Sequence, residues 1–159
     1  PGERNESVVL NTWYEKLAPM DTDTSFDLAL WNQVFAVRDA VSKELENQRN
    51  AGHIKGGLTA EVTLFADEAL HSKLAMLEDE LKFVLITSQA TLKHLTDKND
   101  SAVETSVPGL FVSIKASEHK RCDRCWHQRE EVGTDEAHPD LCGRCIDNVE
   151  GEGELRRFA

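Results

Sequence analysis

The chain has 159 residues and a net charge of −11, with 40% apolar and 30% charged residues. This composition suits a globular fold and excludes the disordered class, and the size allows one domain, or one domain with a small satellite. The excess of 29 acidic over 18 basic side chains argues against a free-standing, non-specific nucleic-acid binder, which needs a broad basic face, yet leaves room for a local basic patch. No run reaches the roughly 20 apolar residues of a membrane-spanning helix. The opening Pro1-Gly2-Glu3-Arg4-Asn5-Glu6 lacks signal-peptide character. A cytoplasmic setting with no membrane partner is therefore expected.

Residues 1–24 read as an extended linker, with Trp13, Tyr14 and Leu17 as anchors. Asp21, Thr22, Asp23, Thr24 and Ser25 offer N-cap chemistry ahead of a helical run. In that run Phe26, Leu30, Val34, Val37, Val41 and Leu45 follow at steps of 4, 4, 3, 4 and 4, which makes one apolar stripe. The helix should stop near Arg49, before Asn50-Ala51-Gly52. Glu61–Ala66 alternates as a strand, with Val62 and Leu64 against Thr63 and Phe65. Asp67 then caps a second helix with the stripe Leu70, Leu74, Leu77, Leu81 and Leu85. Residues 96–108 read as a polar loop, and Leu110–Ala116 as a further strand. The expected class is α+β: a small helix/strand domain over 25–117, followed by a zinc-ribbon-like module over 118–159.

All four cysteines fall in that last module, as Cys122-Asp123-Arg124-Cys125 and, after sixteen intervening residues, Cys142-Gly143-Arg144-Cys145. Two C-x2-C knuckles at this separation have zinc-ligand spacing. Each tight turn aims two sulfurs at one ion, and the longer connection completes the tetrahedron. Gly143 suits a knuckle in which the backbone turns sharply. Four sulfurs leave no position for water, so the expected cofactor is one structural zinc. Two disulfides, an iron–sulfur centre or four unrelated thiols are the alternatives. His119, His127 and His138 lie near enough in sequence to substitute as ligands, although four cysteines already fill the shell.

The stretch Arg121-Cys122-Asp123-Arg124-Cys125-Trp126-His127, the knuckle Leu141–Cys145, and the tail from Asn148-Val149 to Arg156-Arg157-Phe158-Ala159 resemble the C-terminus of bacterial isoleucyl-tRNA synthetases. Ala60–Leu64 and Glu80–Leu85 are similar to the region just upstream in that family, and Trp13-Tyr14 and Phe26–Lys43 fit it less distinctively. The chain departs from the family at Gly56-Gly57-Leu58-Thr59-Ala60, where Gly-Ser-Leu-Glu-Ala is common. It also lacks the family's catalytic His-Ile-Gly-His and Lys-Met-Ser-Lys-Ser type motifs. The resemblance implies the C-terminal portion of a longer enzyme, itself non-catalytic, that helps seat the anticodon arm of isoleucine tRNA. ATP-dependent aminoacylation would then occur on absent domains, with the rest of the synthetase chain as a partner and no DNA expected.

Residues 120–129 carry Lys120, Arg121, Arg124 and Arg129 against Asp123 alone, a local net of +3 that suits phosphate contact. Trp126 could stack on an unpaired base. Arg144, Arg156, Arg157 and Phe158 complete the candidate RNA contacts. The plainer readings are that the arginines neutralise thiolates, that Trp126 is the core of a tiny module, and that the tail packs back on the knuckles through Phe158. Formamidopyrimidine-type DNA glycosylases carry a similar four-cysteine finger and use an N-terminal proline, but Pro1-Gly2-Glu3-Arg4 does not match their usual start. A zinc-stapled protein-interaction adaptor is the third reading.

Overall fold

The computed structural model describes residues 7–10, 12, 16, 17 and 26–158. Helix α1 (Leu28–Asn50) starts at Asp27, whose Oδ1 accepts the Leu30 N–H at 2.8 Å. The cap residues expected at Asp21–Ser25, and the anchors Trp13 and Tyr14, lie outside the described residues. Leu17, the third expected anchor, is exposed. Leu30, Val34, Val37 and Val41 are buried as the stripe requires. Phe26 precedes the cap and so lies outside the helix, but it still packs against the core, where its ring meets Trp31 at 5.2 Å and Phe158 at 4.3 Å.

Strand β1 (Ala60–Ala66) follows, and Asp67 caps α2 (Glu68–Leu74) through the Leu70 N–H at 2.9 Å. The single second helix is not continuous. A 3-10 segment, Ala75–Glu80, intervenes before α3 (Leu81–Leu85), and Glu78 breaks the helical path at φ 47°, ψ −133°. All five leucines of the stripe are nevertheless buried, because spacings of three and four residues record the direction of burial rather than an unbroken hydrogen-bond ladder.

Strand β2 (Gln89–His94) pairs parallel with β1, with Val62 opposite Ala90. The α2–α3 segment is thus the crossover that parallel strands need. Within the expected polar loop, β3 (Val103–Glu104) pairs with β4 (Leu110–Ala116). β4 runs antiparallel to β1, with Leu64 opposite Val112, and the sheet order is β2-β1-β4-β3. Val34, Val37 and Val41 meet Val62, Leu64, Leu110 and Val112 in one core, which also takes in the five leucines. None of the described helices is long and apolar enough to cross a membrane.

Beyond β4 the Ser117 N–H bonds the Thr59 carbonyl at 2.9 Å. The cysteine segment then forms a bridge between Arg121 and Gln128 and a helix, α4 (Gly143–Glu150). Its small core consists of Cys122, Val132, Cys142 and Cys145, with Cys125 and Leu141 against them.

Candidate metal centre and the surface around it

The first knuckle closes through Cys122 N–H to the His127 carbonyl and Trp126 N–H to the Cys122 carbonyl, both at 2.9 Å. The turn's left-handed residue is Trp126, at φ 66°. In the second knuckle Cys142 is the N-cap of α4, and the Cys145 N–H returns to its carbonyl at 2.8 Å. Gly143 is simply the first helical residue there, so the sharp turn expected of it is made in the other knuckle.

The four sulfurs all lie within 4.8 Å of one another, and those of Cys125 and Cys142 are 3.6 Å apart. A tetrahedron with zinc–sulfur bonds of about 2.3 Å has edges of about 3.8 Å, so the donor set fits one zinc ion. All four cysteines are free, against the disulfide alternative. The histidines are engaged elsewhere: His119 with Glu61, His127 Nδ1 with the Cys125 carbonyl at 3.2 Å, and His138 with Glu150.

The sulfurs differ in what supports their charge. Burial opposes the Cys122 thiolate, but backbone N–H groups of Cys125, Cys142 and Arg124 outweigh it and hold the thiol down to about 6. Burial pushes Cys142 and Cys145 the other way. Cys145 takes an N–H···S bond from Arg124 Nη1 at 3.6 Å. Burial disfavours the charged Arg144, yet its bond to Cys125 and the nearby Glu154 carboxylate raise its pKa on balance. Four thiolates around Zn2+ leave a net charge of −2, which Arg124 and Arg144 are placed to offset.

The nine candidate RNA contacts separate into two groups. Lys120, Arg121, Arg124 and Trp126 are exposed around the first knuckle, with Arg121 paired to Asp123 at 3.3 Å. Trp126 is 61% exposed and outside the module's core, which corrects the reading of it as that core. The others are each engaged with a named partner, although Arg156 and Arg157 remain exposed and the Arg157–Glu78 pair lies at the surface. Arg129 pairs with Glu131 at 3.0 Å. Arg144 and Arg156 both reach Glu154 Oε1, at 2.9 and 3.1 Å, and both lie over the Phe83 ring. Arg157 pairs with Glu78 at 3.6 Å. Phe158 stacks on Phe26, so the end of the tail anchors on the sheet-bearing part, while Glu154 ties the tail's start to the second knuckle through Arg144.

Sequence reasoning missed the groups that hold the module in place. The Ser88 hydroxyl accepts the Gln128 N–H at 2.7 Å and donates to the Leu58 carbonyl at 2.6 Å. The Glu80 carboxylate accepts the N–H groups of Arg157 and Phe158 at 2.6 and 2.7 Å. Phe83 and Glu154 position the two arginines. Only Phe83 carried a signal, as an aromatic off the leucine stripe.

Residues 120–148 match the family described as the zinc finger found in FPG and IleRS. The whole chain is 55% identical to an isoleucine–tRNA ligase of Azotobacter vinelandii, 54% to one of Pseudomonas aeruginosa and 52% to one of Pseudomonas putida. In each case the match covers 100% of this chain and 17% of the relative. From end to end, then, the chain is similar to a C-terminal segment of the bacterial isoleucine–tRNA ligases, spans about a sixth of their length, and carries a single structural zinc site.

Proposed function

We propose that this chain is the tRNA-facing part of an isoleucine–tRNA ligase and helps seat the anticodon arm of isoleucine tRNA. The parent enzyme, at work in the cytoplasm, would carry out ATP-dependent aminoacylation on other domains. The observation that carries this reading is the exposed cluster of Lys120, Arg121, Arg124 and Trp126 beside the cysteine centre, in a chain of net charge −11. A confined cationic face with an outward indole suits phosphates next to unstacked bases. The similarity along the whole chain favours the ligase over a glycosylase, whose likeness is confined to the finger.

In this mechanism Cys122, Cys125, Cys142 and Cys145 hold the zinc, which supplies rigidity and no reaction step. The knuckle fixes the left-handed Trp126 so that its ring projects from the surface. Lys120, Arg121 and Arg124 contact phosphate. Arg144, Arg156, Arg157 and Phe158 fix the module and tail, through Phe83, Glu78 and Phe26, to residues 26–117, which join it to the enzyme. Arg129 braces the module internally through Glu131. Salt-dependent binding of the zinc-loaded chain to isoleucine tRNA, against valine tRNA and duplex DNA, tests the proposal. Preference for isoleucine tRNA that chelation abolishes supports it. Equal affinity for duplex DNA, or binding indifferent to chelation, overturns it.

A further inference from the structure

Nearly a third of the chain is charged, yet residues 28–37, the first half of α1, carry no charge at all. The second half resumes with Arg38, Asp39, Lys43, Glu44, Glu46 and Arg49. Interface centres are marked by this depletion of charge, together with exposed aromatic and aliphatic side chains. Both are present here: Leu28 is 60% exposed and Phe35 47%. Trp31 stacks on Phe35 at a centroid distance of 5.7 Å.

The same half-helix is flanked by two grooves. One, of about 550 Å³, runs between Leu28, Trp31 and Phe35 on one side and Phe83, Ile86 and Phe158 on the other. The second, of about 250 Å³, lies between Ala36 and the Ala69, Val107 and Pro108 surface. Ile86 adds an independent sign. It is left-handed, at φ 56°, a conformation costly for a β-branched residue, and it is 51% exposed at the groove edge. Gly57 accommodates this turn, because a Cβ there would sit 2.5 Å from the Ile86 carbonyl oxygen. A strained backbone thus presents an apolar side chain to the groove.

An RNA occupant is disfavoured because each groove holds a single cation in its lining, Arg38 in the first and Lys73 beside Asp67 in the second, too few for a phosphate-binding face, and a second copy because each chain carries −11. The chain spans 17% of its relatives' length, so most of such a ligase lies outside it. We infer that the uncharged half of α1, with its two grooves, is the seat on which the preceding part of the ligase chain docks through an apolar segment. This inference rests on the reading of the chain as part of that ligase.

The test uses the full-length ligase, with p-benzoylphenylalanine placed at Phe35, at Leu28 in a second variant, and at the exposed Lys43 as control. Irradiation should join positions 35 and 28 to peptides that precede Pro1, with or without tRNA, and leave 43 unlinked. Cross-links only to a second copy, to tRNA or within residues 1–159, or none at all, overturn the inference. Trp126→Ala in the same enzyme separates the two readings. An intact cross-link without any tRNA effect of that substitution refutes anticodon seating alone. A tRNA effect without the cross-link refutes the docking surface alone.

Discussion

Ser88 and Gln128, forty residues apart, are joined by a 2.7 Å bond from the Gln128 N–H to the Ser88 hydroxyl. Ser88 is fully buried and passes its own hydrogen to the Leu58 carbonyl. One hydroxyl therefore satisfies a donor of the cysteine module and an acceptor ahead of β1. Its loss strands both, and a buried unsatisfied polar group costs about 1–3 kcal/mol. Ser88→Ala should lower the melting temperature of the zinc-loaded chain while metal content, measured by mass spectrometry, stays at one per chain. An unchanged melting temperature would show that Ser88 is not a fastening point.

We further propose that residues 118–159 depend on zinc and residues 25–117 do not. Structural zinc contributes about 10–16 kcal/mol of apparent binding free energy at neutral pH, enough to decide whether a small module folds. Among the described residues, the core around β1 draws on the cysteine segment and tail only through Phe158 at its edge. Cys122→Ser should therefore abolish zinc binding and unfold the module, while most of the α1 helical circular-dichroism signal remains. Loss of all helical signal would mean that the chain folds as one unit.

What the sequence disclosed, and what it hid, follows from the range over which each signal acts. The α1 stripe, β1, β4 and the cysteine spacing are local patterns, and each appears in the structure close to its expected position. The break at Glu78 is a backbone event that leaves the leucine spacing untouched, so periodicity could not reveal it. β2 lies at an edge with no fully buried residue, and its alternation is only Ala90 and Leu92 against Gln89, Thr91 and Lys93, too short a pattern to stand out. Helix α4 is eight residues long and is positioned by its cysteines rather than by an apolar stripe. The Ser88 and Glu80 contacts join residues 40 and 77–78 positions apart, and nothing near either residue announces them.

Arg124 offers a test of how the centre holds its charge. Its guanidinium donates to the Cys145 sulfur, whose thiolate burial disfavours. Removal of a group that supports a metal ligand typically costs roughly 10–100-fold in affinity. Arg124→Met should weaken zinc binding by a factor in that range, read by competition with a chromophoric chelator. Affinity unchanged within error would assign Arg124 wholly to the outer surface.

Glu61 ties β1 to the start of the cysteine segment. Burial works against its carboxylate, but hydrogen bonds from Lys115 and Ser117 overcome that and set the pKa below the ordinary value. A depressed folded-state pKa means that the unfolded chain binds more protons, so stability rises with pH through that window. The contribution is complete above the ordinary carboxylate pKa and is lost as pH falls through the folded value. Lys115 is largely exposed, which limits that pair to about 0.2–1 kcal/mol. The stability difference between the native chain and Glu61→Gln, from urea titrations, should be largest at neutral pH and shrink on acidification. A difference that grows on acidification would contradict this sign.

Trp126 gives the sharpest separation between folding and binding. Its side chain lies outside the module's core and is mostly exposed, so truncation removes little buried area. A base stacked on an aromatic ring is worth about 1–3 kcal/mol. Trp126→Ala in the full-length ligase should therefore weaken productive isoleucine-tRNA engagement by that amount, while zinc content, melting temperature and the salt slope of binding stay as they were. Lys120→Gln should do the reverse, lowering the salt slope by about one phosphate contact with little change in base preference. If Trp126→Ala instead lowers the melting temperature along with tRNA affinity, the ring is part of the knuckle's own architecture, and stacking on RNA is ruled out as the source of the loss.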